Sequence, residues 1–118
     1  MSEDRGDEGE GARPAPFEEL EELTREFRAN ANVRLGLMRV LLDRLSGAGP
    51  AAVDLRELYQ AFHRLAGAGG TFGFPAVTEV ADRGEELCRP LVEGGRFPSE
   101  AEASELGAIL DRLGEELR

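Results

Sequence analysis

Apolar residues recur at intervals of three and four along most of the chain, in four runs separated by glycine- and proline-rich breaks, and nowhere do they alternate. A helix advances about 100° per residue, so this spacing gathers apolar side chains onto one stripe, whereas a half-buried strand needs a period of two. The chain is therefore expected to be all-α. The first run extends from Phe17 through Leu20, Leu23, Phe27, Leu35 and Met38 to Leu45. Pro16 suits its opening turn, where the missing N–H would be unpaired anyway. Asn30 and Asn32 interrupt the better helix formers, and fraying or a break is expected between Ala29 and Asn32.

Ser46-Gly-Ala-Gly-Pro50 is a turn cluster, and the second run passes through Leu55, Leu58, Phe62, Leu65 and Gly69. Gly73-Phe-Pro75 separates it from a third run, Val77 to Leu91, which Pro90 is expected to kink or shorten because it lacks the N–H for the bond four residues back. Gly94-Gly95 ends that helix. Pro98-Ser99 opens the fourth run, Ala103 to Leu117, with Ser99 and Glu102 at capping-box spacing. Short connections make successive helices antiparallel neighbours, so the expected fold is an up-down antiparallel four-helix bundle. Residues 1–14 carry five acids and almost nothing apolar, too little to repay the entropy of folding, and read as a disordered acidic tail ahead of a bundle over residues 15–118.

The length of 118 residues suits one domain, and the net charge of −10 disfavours nucleic acid, whose phosphates are bound by clustered positive charge. A protein partner is expected instead. The fourteen basic residues are all arginine. The one cysteine, Cys88, can form no internal disulfide, and neither it nor the one histidine belongs to a group with zinc-ligand spacing. No apolar run is long enough to cross a bilayer and no export signal is legible, so no membrane contact and a cytoplasmic location are expected.

That histidine, His63, falls about 110° from the centre of the buried arc of the second helix, on its flank. Ala66, Gly67 and Gly70 follow it at three, four and seven residues, on the same face. Glycine in a helix interior costs about 1 kcal/mol relative to alanine, so Gly67, Gly69 and Gly70 need a reason. A bare strip beside His63 supplies one, because it admits another protein's backbone or a phosphoryl group. Gly69 points inward and is assigned instead to close helix packing. Taken alone, a lone helical histidine is most often only a surface side chain.

The segment Phe62-His-Arg-Leu-Ala-Gly-Ala-Gly-Gly-Thr-Phe-Gly-Phe-Pro75 resembles the signature of histidine-phosphotransfer domains, in which His63, Leu65, Gly67, Ala68, Gly69 and Gly73 match the pattern. Its Gly-Thr-Phe-Gly-Phe ending is most similar to the phosphotransfer domain of chemotaxis-type histidine kinases. The resemblance implies that His63 accepts a phosphoryl group and passes it to a receiver domain, that the partners are a histidine kinase and a response-regulator receiver, and that the chain has no kinase activity of its own. It implies no bound cofactor, Mg2+ being held by the partner, and a monomer or part of a larger signalling protein. The partner-facing residues would be Arg56, Gln60, Arg64, Ala66, Gly67 and Gly70. Ala66 stands where the family usually has a lysine that pairs with phosphoryl oxygens, and neither Arg64, pointing more to solvent, nor Arg56, leaning toward the helix N-terminus, replaces it. Glu85 matches a glutamate that hydrogen-bonds the histidine in chemotaxis-type domains, and would fix the imidazole tautomer.

Other chemistry finds less support. Gly67 to Gly73 has neither the Gly-Lys-Ser/Thr ending of a phosphate loop nor the G-x-G-x-x-G spacing, and Gln60 occupies the place where a di-iron bundle needs glutamate. The competing reading is a module of the same descent that docks receivers or dimerises without carrying phosphate. Ala66 favours it, and His63 with its glycine strip speaks against it.

Overall fold

The computed structural model of the chain describes residues 16–118, so the N-terminal tail lies outside the described residues. Four helices follow one another: α1 (Pro16–Leu45), α2 (Ala52–Gly69), α3 (Pro75–Gly94) and α4 (Glu100–Glu116). Among the described residues there is no strand. Each helix packs on two others in the cyclic order α1, α2, α3, α4, the closed arrangement of a four-helix bundle.

The apolar stripes meet in one core, where Met38 of α1, Phe62 of α2, Leu91 of α3 and Leu113 of α4 are wholly buried. Each such side chain contributes roughly 1.5–3 kcal/mol by leaving water. The Phe62 ring occupies the space in which a side chain at Gly84 of α3 would stand, so this glycine is what lets α3 lie close against α2. Cys88 is buried and free, and burial pushes its thiol up to about 12, far from the reactive thiolate form. Ser99 and Glu102 form the expected capping box at the start of α4. At the same end of the bundle, Arg44 of α1 holds the buried Asp54 of α2 through two hydrogen bonds of 3.2 Å.

Three sequence expectations are corrected. α1 runs unbroken past Ala29–Asn32, because the Asn32 amide donates both to the Arg28 carbonyl and to the Leu117 carbonyl, each at 3.0 Å, and so ties α1 to the end of α4. Pro90 does not shorten α3, which continues to Gly94 and ends at Gly95 in a left-handed turn with φ 64°. There the Arg96 N–H donates to the Leu91 carbonyl at 3.0 Å, closing the last turn. Phe17, Leu20 and Leu23 continue the stripe of α1 but are 66%, 53% and 48% exposed. The α2–α3 connection meets α1 only as far as Phe27, whose ring lies 5.1 Å from that of Phe72 and 5.3 Å from that of Phe74. Pro16–Glu26 therefore projects past the bundle by roughly 16 Å, at 1.5 Å per residue.

Candidate functional site

The site is built by the register of α3 against α2. A Cβ at Gly69 would come within 2.6 Å of Thr78 Oγ1 and 2.9 Å of the Phe74 carbonyl, so only glycine lets the start of α3 approach α2 there. Thr78 uses the proximity: its hydroxyl donates to the Ala66 carbonyl at 2.8 Å and accepts from the Gly70 N–H at 2.9 Å. Gly73 turns the chain with φ 87°, a conformation that favours glycine, and the Phe74 N–H closes the turn on the Gly69 carbonyl at 2.7 Å. These clamps fix where every later residue of α3 falls along α2.

One consequence is that Glu85 faces His63, with Nδ1 of the imidazole 2.9 Å from Oε2 of the carboxylate. The two differ in exposure: the His63 side chain is 71% open to solvent and that of Glu85 only 10%. A carboxylate can only accept, so a neutral imidazole making this contact carries its proton on Nδ1, which leaves Nε2 its lone pair. Arg89, one turn further along α3, donates to the same Oε2 at 3.3 Å. The hydrogen bond that Arg89 donates to the Tyr59 hydroxyl oxygen, and less strongly the nearby Glu85 carboxylate, hold the Arg89 guanidinium above its ordinary range.

His63 and Glu85 are thus brought together from different helices. Arg56, Gln60 and Arg64 are exposed on α2, and Ala66 is half-buried. Nothing lies within 4 Å of a side chain placed at Gly67, so the strip beside His63 is open there. Gly70 is exposed too, although its N–H is engaged by Thr78. Arg64 lines a groove toward α1 with Arg34 and Leu37, on the other side of α2 from Glu85. Arg89 was missed at the level of sequence. Its position four residues after Glu85 was the available signal, since such pairs meet on a helix surface.

Among the described residues no cluster of three or more His, Cys, Asp or Glu side chains is placed to hold a metal ion, and no helix is long and apolar enough to cross a membrane. The described residues thus form a four-helix bundle that presents one solvent-exposed imidazole in contact with a buried carboxylate. The family model for the Hpt domain matches residues 17–116, and the chain belongs to this family of histidine-phosphotransfer domains. Its members are phosphoryl carriers of two-component signalling and not kinases. No curated protein and no solved structure matched the chain.

Proposed function

We propose that His63 is the phosphoryl-accepting residue of this domain and that Glu85 orients it. The observation that carries the reading is the 2.9 Å contact between Nδ1 and Oε2, which leaves the exposed ring its Nε2 lone pair. That lone pair attacks the phosphorus of an aspartyl phosphate on a receiver domain, or of ATP on a kinase. The P–N bond forms as the bond from phosphorus to the leaving oxygen breaks, and the carboxylate or ADP departs with the electron pair. The ring gains positive charge in this step, and Glu85 stabilises it through the proton that stays on Nδ1. Transfer to a second receiver is the same step reversed.

Phosphoryl transfer passes through a loose transition state, so alignment and charge neutralisation decide its rate. The bundle supplies alignment. Neutralisation comes from the partner, a receiver or histidine kinase that holds Mg2+ and a lysine, because Ala66 offers no cation of its own. The open strip at Gly67 and Gly70 admits the partner's active site, with Arg56, Gln60 and Arg64 at its margin, in the cytoplasm where such partners work.

A second reading rests on Ala66 alone: the domain docks receivers without taking phosphate. The two are separated by mixing the protein with a panel of phosphorylated receivers and following dephosphorylation of each. Carriage requires that wild type drain at least one receiver and that His63→Gln drain none. Equal behaviour of the two proteins across the panel would leave docking as the function.

A further inference from the structure

Two unassigned surfaces on this molecule complement each other. The first is the projecting arm of α1, Pro16–Glu26, where Phe17, Leu20 and Leu23 are exposed among five glutamates and one arginine. An amphipathic segment of this length has little helical stability unless its apolar face is covered. The second is a groove of about 380 Å³ between α1 and α2, bordered by the exposed Leu37 and Val40 and by Arg34, Arg44 and Arg64, with Glu57 its one acid. In a chain of net charge −10 this is a local reversal of sign. Among the described residues, Arg34 and Arg64 have no carboxylate within 4.0 Å.

The arm cannot reach the groove of its own molecule. Both belong to one continuous helix, and Leu20 and Leu37 stand roughly 25 Å apart along its axis at 1.5 Å per residue. We infer that the groove receives the arm of a second copy, in a two-fold dimer built on antiparallel α1 helices. Leu20, Leu23, Phe27, Asn30, Arg34, Leu37 and Leu41 follow one another at alternating intervals of three and four, the spacing of a coiled-coil seam. With the two-fold axis between Asn30 and Ala31, Leu20 of one copy meets Leu41 of the other, Leu23 lies against Leu37, and Phe17 and Phe27 meet Arg44 and Arg34. The symmetry makes each contact twice, apolar against apolar and aromatic ring against arginine, and lays the glutamate-rich arm beside the arginine-bordered groove. Gln60 and Arg64 form the α2 wall of the groove, so the docked arm takes up that margin of the partner-facing strip and leaves His63, Gly67 and Gly70 of both copies open.

The test is sedimentation equilibrium of the full chain over a range of concentrations, alone and as variants. Wild type should have twice the mass of one chain, with dissociation promoted by salt. Leu20→Glu/Leu23→Glu, which spoils the arm, and Leu37→Glu, which spoils the groove, should each weaken association about a hundredfold or more while the bundle core stays folded, since all three positions are exposed. An equimolar mixture of the two variants should recover part of the association, because the intact arm of one fits the intact groove of the other. A wild type that stays at the mass of one chain at sub-millimolar concentration overturns the inference. So does dimerisation that survives both substitutions, or a mixture that recovers nothing, which would mean that arm pairs with arm. None of these outcomes bears on whether His63 carries phosphate.

Discussion

Nδ1 of His63 and Oε2 of Glu85 meet at 2.9 Å across the α2–α3 interface, although 22 positions separate them in the chain. Removing the acceptor should leave the ring free to populate both tautomers. Glu85→Ala is expected to slow phosphoryl uptake by about ten- to a hundredfold, the rate equivalent of one charge-assisted hydrogen bond. Nitrogen NMR of the imidazole should show the Nδ1–H tautomer losing its dominance. Arg89→Ala should act in the same direction but only by a few-fold, with partial rescue by lysine, because Arg89 reaches the ring only through Glu85. An unchanged tautomer in Glu85→Ala would contradict the orienting role.

Ala66 is half-buried one turn after His63, where a longer side chain can extend along the open strip. Ala66→Lys should speed phosphoryl uptake from a receiver several-fold by placing an ammonium near the phosphoryl oxygens, and should destabilise the fold by about 1 kcal/mol, since Ala66 packs half-buried against the core. Stopped-flow measurement of uptake checks the first expectation and denaturant unfolding the second.

Glycines of similar appearance in the sequence should respond in opposite ways. Gly67→Ala meets no atom within 4 Å and should stabilise the fold by up to about 1 kcal/mol through helix propensity. Gly84→Ala would press against the Phe62 ring in a packed core and should destabilise by about 1–3 kcal/mol. Replacing Gly67 by leucine should spare stability yet slow transfer, since the bulk falls on the surface offered to the partner. Urea unfolding of the alanine variants and transfer kinetics of the leucine variant decide these.

Acid stability carries a signature of Glu102. Hydrogen bonds from Arg96, and then from the Ser99 N–H, hold its carboxyl near 2, against an ordinary value of 4.5. A depressed carboxyl binds fewer protons folded than unfolded, so the stability it adds is present above pH 4.5 and is lost as the pH falls toward 2. Glu102→Gln should therefore be less stable than wild type at neutral pH and nearly equal to it close to pH 2. Thermal unfolding across this range reads the convergence, and a constant difference would exclude the linkage.

The helices were legible because burial writes a period of three to four into each run, and the caps at Ser99 and Gly95 use residues whose side-chain chemistry or backbone freedom marks them. His63 on a flank followed from helical angles alone. The continuity of α1 was not legible, since it depends on Asn32 finding the Leu117 carbonyl, a contact 85 residues away. Nor was the projection of the arm, because periodicity shows that a stripe exists but not whether anything covers it. Glu85 was reached through resemblance; its distance to His63 depends on the Gly69–Thr78 clamp, which sequence spacing does not measure.

The most direct measurement is intact-mass spectrometry of the protein after incubation with a phosphorylated receiver, followed by mapping of the modified atom by phosphorus–nitrogen NMR. A carrier gains one acid-labile phosphoryl group on Nε2 of His63, and His63→Gln gains none. A phosphoryl group found elsewhere on the chain, or an unmodified wild type against every receiver that binds it, would contradict the account.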